Sequence, residues 1–213
     1  MDTFDEAFEY ESMDHSVVNQ QFVDDLIAGG SVGPQVIDLG CGPAAIAILL
    51  AQQNPEFQVI GIDSSVEMLE LAKREIDMGN VIDRVFLEHS DAKDMHEYAD
   101  DLADTVISNS LVHHLADSTS ALQGAVRILR PGGRLFVRDL ARPDSEADVE
   151  RLVAQYTGGE SEFAQQLFRQ SLHASLTLAE VQKLVGGLGI SGDHVQMSSD
   201  RHWTIDWASP AES

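Results

Sequence analysis

Two carboxylates bracket a glycine turn early in the chain. Asp38 stands two positions before Gly40-Cys41-Gly42 in VIDLGCGPA (36–44), and Asp63 closes VIGID (59–63). Glycines so placed let a backbone turn come close to a ligand. A carboxylate nearby can accept from a pair of ligand hydroxyls or face a ligand cation. Farther along, His113-His114 follow DTVISNSLV (104–112), and Arg138-Asp139 end RLFVRDL (134–140). An imidazole, with its ordinary pKa of about 6.5, can take a proton from an oxygen, nitrogen or thiol nucleophile. His113, His114 and Asp139 are therefore the catalytic candidates. The structural alternatives are a histidine that braces its loop and an Arg138–Asp139 pair. His173 and the run Arg201-His202-Trp203 are further candidates for substrate contact. Cys41 reads as a small loop residue, not a catalytic thiol. No close cluster of His, Cys, Asp and Glu has metal-ligand spacing, so no metal is expected; a magnesium site built from acids on separate loops stays open.

These residues need elements to hold them. QVIDL (35–39), FQVIGID (57–63), DTVISNS (104–110) and RLFVRDL (134–140) read as strands, and RVFLEHSDA (84–92) as a strand running into a loop. Helical patterns lie at 15–29, 44–54, 64–77 and 120–129, with Ser64 or Ser65 as the cap of the third and Arg130-Pro131-Gly132-Gly133 ending the fourth. Strands alternating with helices imply βαβ units and a mostly parallel, doubly wound sheet. Short apolar strands such as VID and VIG suggest burial on both faces. Residues 144–175 read as two helices broken near Gly158-Gly159, and 177–189 as a helix capped by Thr177. HVQMSSDRHWTIDW (194–207) reads as two antiparallel strands around a Ser-Ser-Asp turn.

At 213 residues with 43% hydrophobic content, the chain can bury a proper core. The expectation is one domain over 1–213: a helical cap at 1–33, a ligand-binding core at 34–140, a helical insertion at 144–175 suited to covering substrate, and a final helix and strands at 176–213. No apolar run approaches the roughly 18–20 residues of a membrane span. The acidic start MDTFDEAFEYESMDHS lacks a signal peptide's basic and apolar regions, and the one cysteine fits a reducing compartment, so a cytoplasmic protein is expected. The 36 acids against 13 bases give a net charge of −23, which repels nucleic acids and anionic membranes. Few lysines with many acids also suit a salt-rich cytoplasm.

The ligand of the turn can be argued from charge. GCGPAA (40–45) formally satisfies the G-x-G-x-x-G/A pattern of dinucleotide sites, and Asp63 could serve any ribose. Asp38, however, would repel a pyrophosphate at the following helix start. It suits a ligand with a cation and no phosphate there, as in S-adenosylmethionine with its ammonium and sulfonium.

DLGCGPA, VIGIDSS, HSDA, DTVISNSLVHHL and LRPGGRLFVRDL, in this order, resemble class I S-adenosylmethionine-dependent methyltransferases, and within them the small-molecule branch that includes ubiquinone and menaquinone methylation enzymes. The resemblance covers about residues 35–140. It implies a Rossmann-like, seven-stranded sheet with an antiparallel end, and S-adenosylmethionine as cofactor, leaving as S-adenosylhomocysteine. It implies Gly40 and Gly42 against the methionine portion with Asp38 on the ammonium side, Asp63 on the ribose diol with Ser64 beside it, and Met68 over an adenine face. Asp91 would accept from the adenine amino group beside Ala92, and the Asn109 backbone would lie near the methionine. Phe4, Phe8 and Tyr10 could close over the cofactor or pack in the core.

The implied function is methyl transfer to a small metabolite by in-line displacement, in a monomer or homodimer. The Asn-Pro-Pro-aromatic sequence of many nucleic-acid amino methyltransferases is absent, since the chain reads NSLV (109–112). The competing readings are a non-catalytic S-adenosylmethionine binder and, disfavoured by Asp38, an NAD-dependent dehydrogenase.

Overall fold

The computed structural model describes residues 16–211. Seven strands form one sheet: β1 (Gln35–Leu39), β2 (Gln58–Asp63), β3 (Val85–His89), β4 (Ala103–Asn109), β5 (Leu129–Leu140), β6 (Val195–Met197) and β7 (His202–Ala208), in the order β3-β2-β1-β4-β5-β7-β6. β1 pairs in parallel with both β2 and β4, and β2 in parallel with β3, while β6 and β7 are antiparallel. The expected Rossmann-like, mostly parallel sheet is thus present. The chain steps from β1 to β2 and β3 on one side, then crosses to β4 on the other. The carboxyl ends of β1 and β4 therefore flank the topological switch, where such sheets bind ligands.

The chain divides into two compact units. One comprises residues up to Asn109, Asp117–Val137 and the residues from Asp206; the other comprises Ser110–Ala116 and Arg138–Ile205. In the first unit, helices α1 (Ser16–Gly29), α2 (Ala45–Gln53), α3 (Val66–Met78) and α4 (Ser118–Ile128) accompany the strands. Its core joins Phe22, Val23 and Leu26 of α1 to Ile46, Ala47 and Leu50 of α2 and to Val36, Val59 and Phe136 of the strands. The Phe22 and Phe136 rings meet edge to face at 5.0 Å, a favoured aromatic geometry. Arg134, buried, donates to the Leu26 carbonyl near the end of α1 and pairs through two nitrogens with Asp206 at 2.7 and 2.8 Å.

The second unit holds α5 (Glu146–Thr157), α6 (Glu162–Ala174) and α7 (Leu178–Gly187). Leu140, Val149, Leu152, Val153 and Leu172 make its core, with Phe168 against them. Ser145 and Ser161 cap α5 and α6, and Thr177 with Glu180 forms a reciprocal capping box on α7.

β3 ends at His89 and Ser90 and Asp91 lie in the following loop, as the sequence suggests. One expectation needs correction. Arg130-Pro131-Gly132-Gly133 does not separate helix from strand: β5 begins at Leu129, directly after α4. Gly132 adopts φ 77°, a conformation open to glycine. Gly132 N–H bonds to Pro210 C=O at 3.1 Å, and Gly133 C=O takes Ser209 N–H at 2.7 Å, so the segment joins the ladder.

Candidate active site

β1 delivers the chain to Gly40 and Gly42, with φ of 70° and 52°, values that favour glycine. Gly40 and Cys41 N–H groups both bond to Ile62 C=O, at 2.8 and 3.1 Å, which pins the turn to the end of β2. Asp63, next along, holds both sides of the cradle. Its Oδ2 accepts Gly42 N–H and its Oδ1 accepts Ser65 N–H, each at 2.8 Å. A carboxylate oxygen has two lone pairs, so one on each oxygen stays open to a ligand hydroxyl. The helix cap is Ser65, whose hydroxyl accepts Met68 N–H at 3.3 Å. Asp63 is therefore not the N-cap of α3.

Asp38 is 2% exposed. Burial first, and then the charge of Asp63, push its pKa from the ordinary 3.8 to about 7. A buried anion with no cation beside it among the described residues is costly, and a ligand ammonium would supply the missing charge. Asn109 Oδ1, at the end of β4, is buried without a hydrogen-bond partner among the described residues, which an amide oxygen in a finished core rarely is. A Cβ built on Gly42 meets nothing within 4 Å. α2 starts from Ala44, at φ 63°, with no side-chain cap on its N–H groups. An open space, an uncompensated carboxylate and an orphan acceptor fit a cationic ligand bearing donor groups. Burial raises the Cys41 thiol pKa far above its ordinary value, which excludes a thiolate nucleophile.

The remaining cofactor candidates are placed as follows. Ser64 is exposed and its carbonyl accepts from His89 Nε2 at 3.0 Å. Met68 is 2% exposed and packed in the interior of the first unit. Asp91 turns one oxygen to Lys93 N–H at 2.9 Å and the other toward Lys93 Nζ at 3.4 Å, and Ala92 beside it is buried. Phe4, Phe8 and Tyr10 lie outside the described residues.

The second unit brings together two candidates that the sequence separates. Asp139, fully buried, accepts His113 Nδ1–H on Oδ1 at 2.5 Å, and Leu140 N–H on the same oxygen at 2.6 Å. Its Oδ2 accepts Val112 N–H at 2.5 Å and His113 N–H at 3.3 Å. Every neighbour donates to this carboxylate, so Nδ1 carries the imidazole proton and Nε2 is left with its lone pair. The same bonds hold the short 3-10 turn Val112–His114, so the bracing and basic readings of His113 describe one arrangement. His114 is exposed, its ring 4.0 Å from that of His113. Arg138 and Asp139 take different partners, for Arg138 Nε donates to Thr204 Oγ1 at 2.9 Å. His173 sits in an exposed pairing with Glu146 at 3.6 Å. Among the described residues no group of three or more His, Cys, Asp or Glu could hold a metal.

Two features escape the sequence. Asn109 was expected to act through its backbone, whereas its side-chain oxygen is the orphan. The partnership of His113 with Asp139 joins the turn after β4 to the end of β5, and no local pattern signals it.

A model of a methyltransferase domain matches residues 31–193. The chain is 36% identical over 124 residues to a 27-O-demethylrifamycin SV methyltransferase of Amycolatopsis mediterranei, covering 56% of this chain and 45% of the relative. It is 36% identical over 111 residues to a demethylmenaquinone methyltransferase of Lactiplantibacillus plantarum, covering 51% and 46%. The chain thus spans about half the length of these curated relatives or less. In fold it is similar to the crystal structure of a SAM-dependent methyltransferase from Aquifex aeolicus, with a TM-score of 0.71 at 16% identity over 97% of this chain and 98% of the other. With the family model matching most of its length, the chain belongs to the methyltransferase domain family.

Proposed function

We propose that the protein transfers a methyl group from S-adenosylmethionine to a hydroxyl of a small metabolite, with His113 as general base. The observation that carries this is the His113–Asp139 pair, which leaves Nε2 as a free acceptor. When bound, S-adenosylmethionine supplies a sulfonium-activated methyl group and departs as S-adenosylhomocysteine. Asp38 faces the ammonium, and Gly40 and Gly42 admit the methionine chain beside Asn109. Asp63 uses its remaining lone pairs for the ribose hydroxyls, next to Ser64. Asp91 and Ala92 would serve the adenine edge, and Met68 an adenine face. His113 Nε2 takes the hydroxyl proton as the acceptor oxygen gains its methyl, and Asp139 stabilises the imidazolium that results. His114 is a secondary candidate at the same turn.

In this reading 1–213 works as one methyltransferase domain, with 34–140 holding the donor and 144–175 selecting the acceptor. The relatives named as methyltransferases of 27-O-demethylrifamycin SV and demethylmenaquinone support a small-molecule acceptor. A net charge of −23 disfavours nucleic acid. No helix among the described residues is long and apolar enough to cross a membrane, and we place the enzyme in the cytoplasm as a monomer or homodimer.

Calorimetric titration with S-adenosylmethionine, S-adenosylhomocysteine and NADH tests the donor, with micromolar binding of the first two expected. Binding of NADH without S-adenosylhomocysteine would replace this reading with a dehydrogenase. Release of S-adenosylhomocysteine with a metabolite pool separates enzyme from binder, and persistent absence of release favours the binder.

A further inference from the structure

The turn between β6 and β7 carries an arrangement that methyl transfer, as described above, leaves unused. Ser199 Oγ accepts the backbone N–H groups of Arg201 at 3.2 Å and of His202 at 3.0 Å. A serine hydroxyl has two lone pairs and one hydrogen. With both pairs engaged, its hydrogen goes to the remaining neighbour, His202 Nδ1, 3.0 Å away. Nδ1 is then an acceptor, and the ring's own proton is on Nε2. Burial chiefly, and then the charges of Arg201 and Arg138, oppose a second proton and press the His202 pKa down to about 4, against the opposite pull of Asp139 and Asp200. The imidazole is neutral across the physiological range and, unlike that of His113, is a donor at Nε2.

That donor has no hydrogen-bond partner among the described residues. The residue is only 9% exposed, yet Nε2 is not one of the sealed orphan atoms, which are Thr105 Oγ1, Asn109 Oδ1 and Trp203 Nε1. It therefore keeps some exposure in an otherwise buried ring. The ring is held by its turn, since Ser198 N–H and Ser199 N–H both bond to His202 C=O, at 2.9 and 3.3 Å. Thr204 Oγ1, which takes Arg138 Nε–H, donates to Ser198 Oγ at 2.8 Å. Ala141 N–H bonds to Arg201 C=O at 2.8 Å, which sets the start of β7 beside the end of β5, two residues from Asp139. A rigid, half-enclosed N–H beside two arginines, in the unit that contains the general base, is suited to a ligand oxygen.

We propose that His202 is a binding residue for the methyl acceptor, its Nε2–H donating to a carbonyl, carboxylate or phenolic oxygen of that molecule. Arg138 and Arg201 favour an anionic oxygen there. This rests on the proposed methyl transfer to a small-molecule acceptor with His113 as base. Selectivity follows: an acceptor without such an oxygen leaves the donor unpaired and binds less well.

The test uses the full chain with 15N-labelled histidine and 3,4-dihydroxybenzoate as probe, in the presence of S-adenosylhomocysteine. Long-range 1H–15N spectra, assigned through His202→Gln, are expected to report a protonated Nε2 and an unprotonated Nδ1 at pH 7, and a shift of Nε2 as the probe is added. His202→Phe should weaken probe binding about tenfold, the order of one lost hydrogen bond. His202→Gln, which keeps a donor near Nε2, should recover most of the loss, and both variants should bind S-adenosylhomocysteine as the parent does. A proton on Nδ1, an Nε2 signal that ignores the probe, or equal probe affinity in His202→Phe would overturn the assignment. If S-adenosylhomocysteine does not bind while Nε2 answers the probe, the donor reading falls and His202 stands. The reverse pattern removes only His202.

Discussion

Asp38 is held in a compromise that a cationic ligand would resolve. Its folded pKa of about 7 lies above the ordinary 3.8. The unliganded fold therefore binds an extra proton between these values, and Asp38 costs stability as pH rises from about 4 to 7, with the full cost present above 7. A cationic ligand prefers the carboxylate, so S-adenosylmethionine should bind about tenfold more weakly at pH 6 than at pH 8 through this group. Asp38→Asn should flatten that dependence, weaken binding at pH 8, and raise the unliganded melting temperature at pH 8 but not near pH 4. Calorimetry and thermal melts across pH check both halves. The second unit gives a complementary expectation. His113→Ala should leave S-adenosylhomocysteine affinity unchanged and slow turnover by about 10²–10⁴. Asp139→Asn should also slow it, because the imidazolium loses its stabilising charge. Equal loss of cofactor binding in His113→Ala would make the residue structural.

Elements convert these side chains into a cradle. Gly61 pairs in register with Asp38, and a Cβ there would lie 2.8 Å from Cys41 Sγ and 3.0 Å from its Cβ. Because Gly40 and Cys41 are tied to Ile62, the strand and the glycine turn cannot move apart independently. Gly61→Ala should therefore cost about 1–3 kcal/mol of stability, as overpacking does, and weaken S-adenosylhomocysteine binding beyond that expected of a distant mutation. Adding Cys41→Ala removes the sulfur and should restore part of both losses, measured by denaturation and calorimetry. A double variant no better than Gly61→Ala would show that Cys41 is not the obstacle. Most elements were legible from their periodicity and caps. The start of β5 was not, because the Pro131-Gly132-Gly133 stop signal is local, while that segment bonds to residues 209–210.

At the scale of the molecule, 36 acids face 13 bases. Arg130, Arg142 and Arg169 are already engaged with Asp104, Glu180 and Glu150, so most of the surplus negative charge is left to solvent and its counterions. Repulsion of this kind is screened as the Debye length falls from about 10 Å at 0.1 M salt to 3 Å at 1 M. The melting temperature should rise between these concentrations, by roughly 2–4 °C for each kcal/mol recovered. A fall, in potassium chloride and in sodium chloride alike, would mean that the ion pairs outweigh the repulsion.

The sequence by itself determined the alternating elements, the parallel sheet, the glycine turn and the charge logic of Asp38. Each is written in neighbouring residues, in periods, caps and signs, and needs no partner from elsewhere. Only the tertiary structure decided that Asp63 first ties Gly42 to Ser65, that Asn109 carries an unpaired amide oxygen, and that His113 and His202 hold opposite tautomers. A tautomer is set by what the other ring nitrogen meets. For His113, in the 3-10 turn after β4, that is Asp139 near the end of β5. For His202 it is the Ser199 hydroxyl, whose own two acceptor sites are filled by the turn. Such choices depend on distances of a few ångströms between groups that the chain order leaves unconnected.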